Sequence, residues 1–139
     1  MAETVLYTPE VLALAVELSR FGWNEDLPLK AEARSRSCGS TIALALDVDA
    51  QGVITDVAVR SHACAIGQAA AAIFANAVVG MTVPEVRKTG AAIARWLGEE
   101  GALPDWPGLS SIAAARAYPG RHAAVMLPWN AANQVLPSG

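Results

Sequence analysis

The rhythm of apolar and polar positions changes three times along the chain. In TPEVLALAVELSRF, Val11, Leu14, Ala15 and Leu18 recur at helical spacing. Thr8 supplies an N-cap, Pro9 a first-turn proline, and Glu10 an acid beside the positive end of the helix dipole. GWNEDLPLK then breaks any helix with Gly22, Asn24 and Pro28 and reads as a connection. Next come two strand-like runs, Thr41 to Val48 and Val53 to Arg60. Ile42, Leu44, Leu46 and Val48 share one face of the first. In the second, Val53, Thr55, Val57 and Val59 alternate with Ile54, Asp56, Ala58 and Arg60. Asp49-Ala50-Gln51-Gly52 joins them as a hairpin, with Gly52 suited to the left-handed position. AEARSRS, just before Cys38, supplies a third, edge strand with Arg34 and Arg36 exposed.

After Cys64 the pattern turns helical. IGQAAAAIFANAVVG is rich in alanine and ends at Gly80. Thr82 and Glu85 form a capping box around Pro84 that opens the next helix. TGAAIARWLGEEG reads as a further short helix closed by glycine, and LPDWPGLSSIAAARAYPG as turn-rich at its start and helical in its middle. HAAVMLPWNAANQVL reads as a last helix that starts near Pro128 or kinks there. The expected fold is α+β: a small three-stranded antiparallel sheet packed by N-terminal and C-terminal helices, with residues 1–139 forming one domain. Trp96, Trp106 and Trp129 are expected in the core or at an interface.

Composition narrows the functional classes. With 53% hydrophobic and 17% charged residues the chain is expected to fold, and its net charge of −3 argues against nucleic-acid binding through a basic surface. The start, MAETVLYTPE, lacks the basic opening of a signal peptide, and AAAAIFANAVVGMTV falls short of a membrane span. A cytoplasmic location follows as the expectation, with no membrane partner. In a reducing compartment two cysteines serve as free thiols, ligands or nucleophiles in preference to a disulfide.

Those two cysteines carry the candidate chemistry. Cys38 lies in SCGS, where Gly39 permits a tight turn that exposes a thiol. Cys64 follows the second core strand and opens a helix, a position that favours thiolate. Antiparallel pairing places the start of one strand beside the end of its neighbour, so the cysteines are expected at the same end of the sheet. Both also suit a simple role as small buried apolar side chains. Two thiols do not complete a zinc or iron–sulfur site, each of which takes four ligands. His62, His122, Ser40 and Asp47 are the further donors in reach, and His62, two residues before Cys64 on a strand, is expected to share its face. Ser40 most simply caps or turns the chain. Arg34 and Arg36 stand near Cys38, and Arg121 adjoins His122.

The run from LYTPEVLALA through SCGSTIALALDVDAQGVITDVAVRSHACAIGQAAAAIF to YPGRHAAVMLPW resembles the U-type iron–sulfur cluster assembly scaffolds, the family of IscU, SufU and the NifU N-terminal domain. The resemblance implies a three-stranded sheet packed by helices. It also implies a site of three cysteines and an aspartate for a nascent cluster or zinc. Cys38 and Cys64 match the first two cysteines; Ser40 stands at the aspartate and Ala124 at the third cysteine. The LPPVK chaperone segment of IscU-type members is absent, and the longer stretch before Ala124 is more like SufU.

Three readings follow. The first is a scaffold or carrier holding a transient iron–sulfur cluster through Cys38 and Cys64, with His122 or His62 and a donor from elsewhere. The second is a zinc-dependent sulfur carrier of SufU type, with Cys38, Cys64 and His122 on the metal. The third is a partner-binding protein that has lost the metal. None of the three is a turnover enzyme. The resemblance implies a cysteine desulfurase and apo iron–sulfur proteins as partners, and the protein acts as a monomer or homodimer.

Overall fold

The computed structural model describes residues 6–36 and 39–137. Helix α1 (Pro9–Glu17) begins as its sequence requires: Thr8 Oγ1 accepts the Val11 N–H at 3.2 Å, with Pro9 in the first turn. A 3₁₀ turn, Leu18–Phe21, extends it. Val11 and Leu18 are buried, whereas Leu12 and Val16 on the other side are exposed.

Strands β1 (Leu29–Arg34), β2 (Thr41–Val48) and β3 (Ile54–His62) form one antiparallel sheet in the order β1-β2-β3. The edge strand is set earlier than expected, because Leu29 and Lys30 already pair with Leu46 and Ala45, while Ser35 and Arg36 belong to the turn. In the β2–β3 hairpin Gly52 has φ +80°, and the Asp49 carboxylate accepts the N–H groups of Gln51 and Val53. Val53 leaves the ladder to bridge Thr82, and a bulge follows Asp47. Ile42, Leu44 and Leu46 are buried on the face that meets the helices. The opposite face carries alanines, Ala45 and Ala58, closed over by Leu27 and Trp23.

Helix α2 (Ala65–Val78) lies at the centre of the core, with ten of its residues buried. Its alanines let α1, α4 and the sheet approach closely. Helix α3 (Val83–Leu97) opens on the Thr82–Glu85 capping box. It runs unbroken through Thr89-Gly90, so the two helices expected here are one. Gly90 persists inside it because Trp129 lies against it: a Cβ there would meet Trp129 Cβ at 3.3 Å. A 3₁₀ stretch, Leu109–Ala117, and a turn, Pro119–Arg121, lead into α4 (His122–Val135). Pro128 sits within α4, which removes the N–H that would bond to the Ala124 carbonyl but does not end the helix. Phe74, Trp106 and Trp129 form an aromatic trio with centroids 5.2–5.6 Å apart, and Trp106 Nε1 donates to the Ile73 carbonyl at 2.9 Å. Trp96, Trp106 and Trp129 are all buried, as their sequence context suggests.

Candidate functional site

The hairpin between β1 and β2 turns at the end of the sheet where β3 runs out. Ser35 N–H donates to the Ser40 carbonyl at 2.8 Å, and Gly39 N–H to the Ser35 carbonyl at 3.0 Å. Gly39 has φ +70°, the conformation a side chain would oppose. Cys38 lies outside the described residues, between Arg36 and Gly39 in the sequence.

Thr41 pairs with His62, so the chain beyond each must converge. It does so through Ser40, only 3% exposed, whose Oγ accepts the Cys64 N–H at 3.2 Å. Cys64 is the N-cap residue of α2 and its side chain gives no capping hydrogen bond, so Ser40 satisfies an amide that the helix start leaves open. The serine read from sequence as a cap or turn residue thus joins the cysteine hairpin to the mouth of α2. Cys64 is a free thiol, half-buried and packed against the main core.

The remaining sequence candidates separate. His62 does not share the surroundings of Cys64. The strand period ends at His62, which lines a recess on the outer sheet face with Arg34 and Arg60, while Cys64 has turned into α2. Asp47 lies at the opposite end of β2, paired with Asp56, and its carboxylate accepts the Val48 N–H. Ala124 is fully buried in the first turn of α4, with its Cβ 3.7 Å from where a Gly67 Cβ would stand, so the starts of α2 and α4 meet there. His122 is two positions earlier on α4 and therefore on the other side of that helix. Its Nε2 lies 2.8 Å from the Arg116 carbonyl. A carbonyl only accepts, so Nε2 carries the proton, and in the neutral ring Nδ1 holds the lone pair. Arg121 donates from Nε to the Tyr7 hydroxyl at 3.3 Å. Among the described residues no three His, Cys, Asp or Glu side chains gather to hold a metal ion.

The pattern of the NifU-like N terminal domain family matches residues 6–125. The chain belongs to that family. The resemblance to U-type iron–sulfur scaffolds read from the sequence is therefore borne out, and so is the α+β fold. A nitrogen-fixing NifU-like protein (N-terminal) from Brucella abortus is 32% identical, with a TM-score of 0.84 over 94% of this chain and 91% of that one. A protein assigned as an iron–sulfur cluster assembly scaffold for the SUF system, from Fervidobacterium islandicum, is 22% identical. It superposes with a TM-score of 0.86 over 98% of this chain and 100% of that one, which speaks to the fold. No curated protein matches the chain. At the two positions where the resemblance implies an aspartate and a third cysteine, Ser40 is engaged with backbone and Ala124 offers only a methyl group. No helix among the described residues is long and apolar enough to cross a membrane.

Proposed function

We propose that this NifU-like domain, residues 1–139 taken as one unit, is a scaffold or carrier in iron–sulfur cluster assembly, with the cluster as transient cargo. Cys38 and Cys64 are the thiolate donors, and the remaining ligands come from outside the single chain, from a second copy or from a partner. The observation that carries this reading is the Ser40–Cys64 hydrogen bond, which ties the Cys38 hairpin to the residue that opens α2. A site short of protein ligands holds its cargo weakly, which suits hand-over to an apo iron–sulfur protein after supply by a cysteine desulfurase.

A second reading, zinc-dependent sulfur transfer, draws support from His122. Ligating histidines donate their other ring N–H to a carbonyl or carboxylate, as His122 Nε2 does to Arg116. That arrangement orients Nδ1 as the free donor atom.

Metal and sulfide analysis of protein purified without oxygen, before and after reconstitution with iron and sulfide, tests both. Iron with sulfide that is lost in Cys38→Ala and in Cys64→Ala, but kept in His122→Ala, supports the scaffold. Zinc without sulfide, lost in His122→Ala, moves the assignment to the carrier. Absence of any bound metal or sulfide in the wild type, both alone and with a cysteine desulfurase present, refutes both and leaves a partner-binding domain.

A further inference from the structure

The outer face of the sheet is divided by charge. Asp47 and Asp56 pair at the end remote from the cysteine hairpin. At the near end, two cross-strand rows project to the same side: Arg34–Thr41–His62 and Glu32–Ala43–Arg60. Together they line a recess of about 340 Å³ whose floor is Thr41 and Ala43 and whose walls are Arg34, Arg60 and His62, with Glu32 on one side. The segment carrying Trp23 and Leu27 covers Ala45 and Ala58, and Arg60 stacks on the Trp23 ring at 4.5 Å, so the recess is walled at its inner end. Among the described residues Arg34, Arg36 and His62 form no ion pair and no side-chain hydrogen bond, unlike Lys30, which pairs with Glu25 at 3.1 Å.

These arginines without ion pairs, Arg34 and Arg36, belong to a chain whose net charge is −3. Although Glu32 stands in the same wall, Arg34 forms no ion pair with it and is available to carboxylates from elsewhere. Arginine forks match carboxylates with two parallel hydrogen bonds, and Thr41 adds a hydroxyl at the floor. Arg34 and His62 stand on the two strands that flank β2, about 10 Å apart at the backbone, and the Arg60 row is about 7 Å further along. Those spacings suit successive acidic side chains of an extended segment. A nucleic acid suits them less, because Glu32 in the wall and the overall negative charge oppose a continuous phosphate backbone.

The geometry points to the outer sheet face beside the cysteine hairpin as the docking site for an acidic, extended segment of a partner protein, held by Arg34, Arg60 and His62. The site is independent of which cargo Cys38 and Cys64 carry.

The test is fluorescence anisotropy with a short labelled peptide of alternating glutamate and serine, and a lysine–serine peptide as control. The acidic peptide binds the wild type, and binding weakens at least about tenfold in Arg34→Glu/Arg60→Glu and on raising the salt. Arg34→Glu/His62→Glu leaves the Arg60–Trp23 stack in place and gives a similar loss, which guards against a folding artefact in the first variant. Arg95→Glu, exposed on α3, leaves binding within about twofold of wild type. Three outcomes overturn the proposal: no binding of the acidic peptide, an equal loss in Arg95→Glu, or tighter binding of a single-stranded oligonucleotide than of the peptide through the same residues.

Discussion

Replacing Ser40 by alanine isolates the contact that joins the cysteine hairpin to α2. The side chain is 3% exposed and its Oγ accepts the Cys64 N–H at 3.2 Å. Losing that acceptor leaves a half-buried amide at a helix start without its partner, a cost of about 1–2 kcal/mol. Ser40 makes further interactions, so this is the lower end of the expected effect. For 139 residues the unfolding entropy is about 0.3 kcal/mol per degree, and the variant should melt about 3–7 °C below wild type. The same energy acts locally. If the clamp must open before Cys64 reacts, its loss raises the open population about 5- to 30-fold. Alkylation of Cys64, followed by mass spectrometry in a Cys38→Ala background, should accelerate by a comparable factor, and Ser40→Thr should retain much of the wild-type rate. A melting point within about 1 °C of wild type, together with an unchanged alkylation rate, would refute the clamp.

Three further outcomes follow from packing and charge. Gly67→Ala places a Cβ 2.9 Å from that of Ala63, and the strain of about 1–3 kcal/mol outweighs a helix-propensity gain of about 1 kcal/mol; calorimetry should show a lower melting point. Trp106→Phe keeps a ring for Phe74 but removes the Nε1–H donor to the buried Ile73 carbonyl, costing about 1–3 kcal/mol in a urea titration. Glu25 is held below its ordinary 4.5, first by the hydrogen bond from Trp23 and then by Lys30. Its contribution is present above the unfolded value and is lost as pH falls through the lower folded value, so Trp23 emission should change in that acid range in wild type and stay flat in Glu25→Gln.

Much of the scaffold can be read locally. Thr8, the Thr82–Glu85 box and Gly52 each act through neighbours a few residues away, and all three appear where the pattern puts them. The alternation of Ile42, Leu44 and Leu46 likewise fixes which face is buried. The errors arise where a distant residue decides. Gly90 reads as a break until Trp129 is seen to occupy the space it leaves. His62 and Cys64 are two apart, yet they face different surroundings because the strand ends between them. The charged recess draws Arg34 and His62 from different strands, and only the register across β2 brings them together.

The two departures from the family's ligand pattern are both consistent with the packing around them. At position 40 the side chain is almost wholly enclosed and aimed at a backbone N–H, a setting where a neutral hydroxyl avoids the desolvation cost of a carboxylate. At position 124 the methyl group is fully buried and faces a helix residue, Gly67, that itself has no side chain. Helices α2 and α4 thus approach closely where a third thiol would otherwise stand. Ser40 and Ala124 instead contribute contacts that bring the hairpin and the two helix starts together. On the proposed scaffold reading, the affinity for cargo then rests on whatever supplies the missing ligands. On this argument the assembled complex, and not the isolated chain, is where tight cluster binding should be sought.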